Sequence, residues 1–315
     1  RRDGDLLVLG VAGKMGPSLA RMARRAFDAA DRRDRRVLGV ARFSGGGRER
    51  LEAHGVETIA CDLLDPDALD RLPEAPNVVF MAGMKFGSTG REAQTWAVNT
   101  FLPGLVARRF RRSQIVAFST GNVYGLTPVD RGGSREDDPL DPRGEYAMSC
   151  LGRERLFEHF SREQGTPMAL IRLNYATEMR YGVLVDIALR VQAGEPIDLA
   201  MGYLNAIWQG DANAMALRAF DHVASPPRVI NVAGPERLRV RQVAEEFGRR
   251  LGRPVRFEGT EAPDALLSDG QLGYRLLGHP RLDAERLIAW IAEWVQHGGE
   301  TLGKPTRFEV RDGRF

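Results

Sequence analysis

The segment Leu6-Leu7-Val8-Leu9-Gly10-Val11-Ala12-Gly13-Lys14-Met15-Gly16 decides how the rest of the chain is read. Four apolar residues run straight into a turn with three glycines, and a helix-competent stretch, Gly16–Phe27, follows at once. A strand that passes directly into a helix needs a tight loop. Glycine lets its backbone approach a pyrophosphate closely, and the helix N-terminus adds free N–H groups and a favourable dipole. With strand before and helix after, the pattern predicts a nucleotide-binding turn rather than an ordinary glycine-rich loop. Gly10, Gly13, Lys14, Met15 and Gly16 are its expected contact residues.

The same rhythm repeats downstream. Val37–Val40, Glu57–Ala60, Val78–Met81, Ile115–Phe118 and Met168–Ile171 read as buried strands, short and without the alternation of a half-exposed sheet. Helix-length segments lie between them at 48–54, 66–71, 91–110 and 143–163. This alternation predicts an α/β fold, a Rossmann-type doubly wound parallel sheet. After Arg172 helical stretches dominate (183–193, 240–251, 282–297), with one more strand at Val229–Val232. The expected division is a dinucleotide-binding domain over 1–172 and a smaller, mainly helical substrate lobe over 173–315. A strand near 228–233 is expected to return to the main sheet.

Composition excludes several classes. The chain has 315 residues, 43% of them hydrophobic and 28% charged, enough to bury a substantial core. No apolar run approaches the ~20 residues of a membrane span. Lys14, Lys85 and Lys304 are the only lysines among 45 basic residues, and the net charge is only +3. The densest basic stretch, 21–36, is interspersed with Asp28, Asp31 and Asp34, so nucleic-acid binding is not expected. Cys61 and Cys150 are too few for a disulfide framework or a cysteine-rich metal site. With no signal-peptide run after Arg1, a cytoplasmic protein without metal is the expectation.

Further motifs give the chain a family likeness. Cys61-Asp62-Leu63, Trp96-Ala97-Val98-Asn99-Thr100 and Phe118-Ser119-Thr120-Gly121-Asn122-Val123-Tyr124-Gly125 accompany the G-x-x-G-x-x-G turn, and Tyr146 follows Thr120 by 26 residues. In these features the chain resembles the extended short-chain dehydrogenase/reductase superfamily, the NAD(P)-dependent epimerase/dehydratase group, from Asp5 to about His297. The resemblance implies a nicotinamide cofactor held by the glycine turn, with Asp62 and Leu63 near the adenine and Ala82, Gly83 and Asn99 lining its crevice. It also implies an enzyme acting on a sugar or sugar-like carbinol or carbonyl carbon. Tyr146 would be the general acid/base and Thr120 would position the substrate hydroxyl. The helices 91–110 and 143–163 match the pair that forms a homodimer in this family, and Phe101, Leu105, Leu151, Leu156 and Phe157 supply apolar positions for it.

The second strand ends Ala41-Arg42-Phe43-Ser44, where NAD-selective proteins place a carboxylate for the ribose 2′-hydroxyl. Arg42, with Ser44 and Arg48 near, offers a 2′-phosphate a bidentate partner, or else stacks on the adenine; NADP is favoured, NAD possible. The position four after Tyr146, a lysine in the family, is Cys150. A phenol is a poor base near neutrality without a nearby cation. Lys85, in the loop after the fourth strand, either supplies that charge or is solvated, and Cys150 is either reactive or a buried structural thiol. Substrate-side signatures also depart. Asn174 comes one position early, Leu204 stands where the family places a diphosphate-binding arginine, and Gly121-Asn122 follow Thr120 in place of an elimination acid pair. A simple sugar, polyol or related hydroxy/keto compound is expected rather than a nucleotide sugar. Tyr175, Glu178, Arg180, Tyr181, Tyr203, Asn205 and Trp208 are candidate pocket residues, or else core or interface. The competing reading is a catalytically silent dinucleotide-binding sensor or scaffold, or a cofactor-bound lyase.

Overall fold

The computed structural model describes residues 3–85 and 87–314. Its main sheet comprises β1 (Leu6–Leu9), β2 (Val37–Ala41), β3 (Glu57–Ala60), β4 (Asn77–Phe80), β5 (Gln114–Thr120), β6 (Met168–Leu173) and β7 (Arg228–Val232). The order is β7-β6-β5-β4-β1-β2-β3. β1 pairs in parallel with β2 and with β4, placing Leu6 opposite Val37 on one side and Asn77 on the other. The pairs β2–β3 and β4–β5 are parallel too. The order reverses between β1 and β4, which opens a crevice at the strand carboxyl ends. β7 is the expected returning strand, at one edge.

β1, β2 and β4 are buried along their whole length, as apolar runs covered on both faces must be. β3 departs from that expectation. Glu57 and Ala60 are exposed, with Thr58 and Ile59 half-buried, because the strand is an edge paired only to β2.

Helix α1 (Gly16–Ala29) starts with Pro17 in its first turn and buries Leu19, Ala20 and Ala23. α2 (Arg48–Glu52) and α3 (Pro66–Asp70) are short. The helix expected at 91–110 is divided into α4 (Glu92–Trp96), a π-helical turn at Ala97–Phe101 and α5 (Leu102–Arg109). Pro103 explains the break: it has no N–H for the Asn99 carbonyl one turn back, and its ring crowds that oxygen. α6 (Gly144–Gln164), α7 (Val183–Ala193), α9 (Val240–Leu251) and α11 (Ala284–Gln296) follow the predicted segments closely. α8 (Gln209–Arg218) and α10 (Gln271–Leu277) are additional to them, since neither carries a clear apolar stripe.

The chain forms two compact units, each assembled from separated segments: residues 1–119, 145–171 and 213–229, and residues 120–144, 172–212 and 230–315. The first is built around Leu7, Leu9, Val78, Phe80, Phe110, Ile115 and Phe157. Phe157 is fully buried, edge-on to Phe80 with ring centroids 5.4 Å apart, so it belongs to the sheet-facing core and not to a self-association face. The second unit packs α7, α9 and α11 through Leu184, Ile187, Val191, Val243, Phe247, Ile288 and Ile291. Among the described residues no helix is long and apolar enough to cross a membrane.

Candidate functional site

The three glycines of the first turn have separate physical reasons. Gly10 adopts φ +86°, and a Cβ there would meet Ala82 N at 2.6 Å, so only glycine lets β1 turn against the end of β4. A Cβ on Gly16 would stand 2.2 Å from the Val11 carbonyl oxygen, so this glycine lets the helix start directly under the turn. Gly13 differs: a Cβ there would meet only Gly10 O, at 3.4 Å, and its outer face is exposed. Met15 precedes α1 without a side-chain cap, leaving the first amides of the helix to an incoming anion. Lys14 is half-buried beside them. These features fit a dinucleotide pyrophosphate.

At the end of β2, Arg42 and Ser44 are exposed, and Gly45, Gly46 and Gly47 after them have open space on the Cβ side. Arg48 is engaged elsewhere, donating to Glu52 Oε1 at 3.0 Å and Thr58 Oγ1 at 2.8 Å, which leaves Arg42 as the guanidinium presented at this strand end. Asp62 is exposed after β3 and accepts from Leu64 N at 3.1 Å, while Leu63 is buried.

The π-helical turn aims Asn99 inward, where it is fully buried. Its Oδ1 accepts from Met84 N at 2.8 Å, and its Nδ2 donates to Met84 O at 2.8 Å and Ser149 Oγ at 3.0 Å. Asn99 thus clamps the loop after β4 that carries Ala82, Gly83 and Lys85. Lys85 Nζ lies 5.8 Å from the centroid of the Tyr146 ring. Tyr146 is half-buried on α6, and Cys150, one turn further, is 0% exposed. Burial pushes the Cys150 thiol up. Arg153, a hydrogen bond with the Tyr146 side chain and Lys85 oppose the shift, while Glu154 adds to it. A buried neutral thiol is a poor nucleophile, which favours the structural reading of Cys150 over the reactive one.

The sequence profile of the NAD dependent epimerase/dehydratase family matches residues 6–233. The chain belongs to that family. This epimerase/dehydratase-family enzyme is also similar in fold to solved structures at low identity. One is UDP-glucuronic acid 4-epimerase from Bacillus cereus, solved with NAD and a fluorinated UDP-glucuronic acid analogue (TM-score 0.77, 16% identity, covering 93% of this chain and 99% of that one). UDP-glucose 4-epimerase from Thermus thermophilus, solved with NAD, gives 0.75 and 20%, over 92% and 98%. dTDP-glucose 4,6-dehydratase from Bacillus anthracis, also with NAD, gives 0.77 and 13%, over 94% and 97%. No curated protein sequence matches the chain significantly.

The second unit of the epimerase/dehydratase-family chain holds Thr120 and the residues singled out on the substrate side. Thr120 is buried at the end of β5; its Oγ1 donates to Asn122 Oδ1 at 2.9 Å and accepts from Asn122 N at 3.2 Å. A Cβ on Gly121 would meet Ser268 Oγ at 2.8 Å. Asn174 Nδ2 donates to Asn205 Oδ1 at 2.8 Å, and Asn205 Nδ2 to Ser268 O at 2.7 Å. The Ser268 hydroxyl is buried with no hydrogen-bond partner among the described residues. Leu204 is fully buried. Asp211 accepts from Arg281 N and Leu282 N, both at 3.0 Å. Tyr175, Tyr203 and Trp208 pack against the unit's apolar core. Glu178 pairs with Arg180 at 3.0 Å. Among the described residues no group of three or more His, Cys, Asp or Glu could hold a metal.

Sequence reasoning missed Arg153 and Glu154. Their signal was present: two charges seven and eight residues after Tyr146 sit on the helix face that carries Cys150 and Phe157.

Proposed function

We propose that the enzyme is an NADP-preferring oxidoreductase or epimerase acting on a carbinol or carbonyl carbon of a sugar or sugar-like compound. The observation that carries this reading is the line of contacts within the first unit. The Gly10 turn lies against Ala82, Asn99 clamps the next residues, and Lys85 stands over Tyr146. Gly10, Gly13, Gly16 and the α1 amides would hold the cofactor pyrophosphate, with Lys14 and Met15 at their side. Arg42 and Ser44 would hold a 2′-phosphate, Asp62 and Leu63 would border the adenine, and the 82–85 loop would face the nicotinamide. When bound, a nicotinamide dinucleotide supplies hydride acceptance and return.

The chain's own part is proton transfer and positioning. Tyr146 takes the proton from the substrate hydroxyl as the carbonyl forms, or returns it on reduction; Lys85 favours the charged phenolate, and Thr120 orients the reacting oxygen. Cys150 keeps the space beneath Tyr146 small and uncharged. The Ser268 hydroxyl, beside the Asn174–Asn205 amide pair, suits a neutral polyhydroxy compound. With Leu204 at the arginine position, a nucleoside diphosphate has less to bind. Residues 173–315 supply most of this substrate lobe.

The exposed apolar side chains of the first unit support a homodimer through α4–α5 and α6: Phe101 is 57% exposed, Trp96 37% and Met148 36%. The test of function is incubation with NADP⁺ or NAD⁺ and a panel of sugars and polyols. Reduced-nicotinamide absorbance and product stereochemistry are both followed, because an epimerase returns its hydride. Turnover present in the native enzyme and abolished by Tyr146→Phe is expected. Turnover retained by that variant overturns the assignment.

A further inference from the structure

Arg153 is a cation in an unusual place. It is 6% exposed, in the middle of α6 and on the face that carries Cys150. Its Nη1 donates to Phe118 O at 2.7 Å, its Nη2 to Asn99 Oδ1 at 2.9 Å and its Nε to Asn99 O at 3.3 Å. The last is the carbonyl that Pro103 leaves without its usual helical donor. All three acceptors belong to neutral amides, so these bonds hold the guanidinium in place without cancelling its charge. The guanidinium also touches the cofactor-side loop, since a Cβ on Gly83 would meet Nη2 at 2.9 Å. Long helical side chains lean toward the helix N-terminus, which for Arg153 means toward Cys150 and Tyr146.

We propose that Arg153 is a positioning residue for Tyr146: a fixed buried cation that, acting across Cys150, primes the phenol for proton transfer. Cys150 is joined to the Tyr146 side chain by a hydrogen bond, and the charged groups acting on it are Arg153 and Glu154 from α6 and Lys85 from the loop after β4; Glu145, beside Tyr146 in the chain, accepts from Trp96 Nε1. Glu154 accepts a hydrogen bond from Ser119. Lys85 is only half-buried, so water weakens its field; Arg153 stands where water is excluded and a charge acts further. Two cations on different elements explain how position 150 is left to a neutral thiol. The inference rests on Tyr146 being the acid/base.

The test is a spectrophotometric titration of tyrosine ionisation in the full chain, with the Tyr146→Phe difference assigning the Tyr146 step. Two neutral replacements are used, Arg153→Gln and Arg153→Met, so that a folding failure in one leaves the other to decide; Arg153→Lys retains the charge. In a folded neutral variant the Tyr146 step is expected to move to higher pH by about one unit, a tenfold change in proton concentration, while Arg153→Lys holds it near its native position. A Tyr146 step unmoved in a folded neutral variant overturns the role of Arg153. So does an Arg153→Lys variant that behaves like the neutral ones, which would make Arg153 only a clamp. Failure of the underlying reading looks different: turnover survives Tyr146→Phe, whatever the Arg153 variants do.

Discussion

In the proposed reading, Arg42 is the residue on which cofactor choice turns. It stands exposed beyond β2 while Arg48 is tied to Glu52 and Thr58. Arg42→Ala is expected to weaken NADP by about 1.5–3 kcal/mol, the worth of a charge-assisted hydrogen bond, and NAD far less. Calorimetric titration with both cofactors checks it, and equal losses would remove the 2′-phosphate role. At Cys150 the expectation is opposite to a simple repair. Cys150→Lys puts an ammonium into a fully buried space next to Arg153, so like charges meet without water. Activity should fall, and thermal stability with it; a rise in turnover would show that the site only lacked a lysine. Tyr124 offers a pH test. Burial pushes its hydroxyl up to about 12 against the opposing pull of Arg172 and Asn231. An acid whose folded pKa is raised stays protonated while the unfolded chain ionises from ~10, so stability falls as pH rises between those values. Tyr124→Phe should flatten that alkaline decline by about 1 kcal/mol between denaturant titrations at pH 8 and 11.

Among the elements, the π-helical turn matters most for the site. Its extra residue rotates Asn99 onto Met84 and leaves the Asn99 carbonyl for Arg153. Deleting Ala97 is the informative change. It should restore a regular helix, turn Asn99 off the loop and cost cofactor affinity well beyond its effect on stability, as judged by NAD⁺ titration beside thermal melting. The turn was legible in the sequence only in part. Trp96-Ala97-Val98-Asn99-Thr100 carried the family likeness, but 91–110 read as one helix, because a π turn has no apolar period of its own. The edge strand β3 teaches the converse: Glu57-Thr58-Ile59-Ala60 is not fully apolar, and its mixed pattern fits a strand with one open side.

For the whole molecule, self-association is the expectation that exposed surface supports. Phe101→Glu places a charge on the most exposed apolar side chain of the first unit and should halve the mass seen by light scattering, with little change in stability. A native mass of one chain at micromolar concentration would count against the homodimer. The glycine turn and the strand–helix alternation were readable along the chain because they depend on local geometry: tight turns need glycine, and buried parallel strands need continuous apolar runs. These determined the fold class, while the family was legible through the likeness of its motifs, the Tyr146–Thr120 spacing among them. The tertiary structure alone decided what each charge faces. Arg48 and Arg42 look alike in sequence, yet one is paired and the other presented to an open loop. Arg153 reads as one more arginine in an arginine-rich chain, and only packing puts it in a water-free place, held by Phe118 and Asn99. The reason is electrostatic: the strength of a charge depends on burial and neighbours, and those come from segments far apart in the chain.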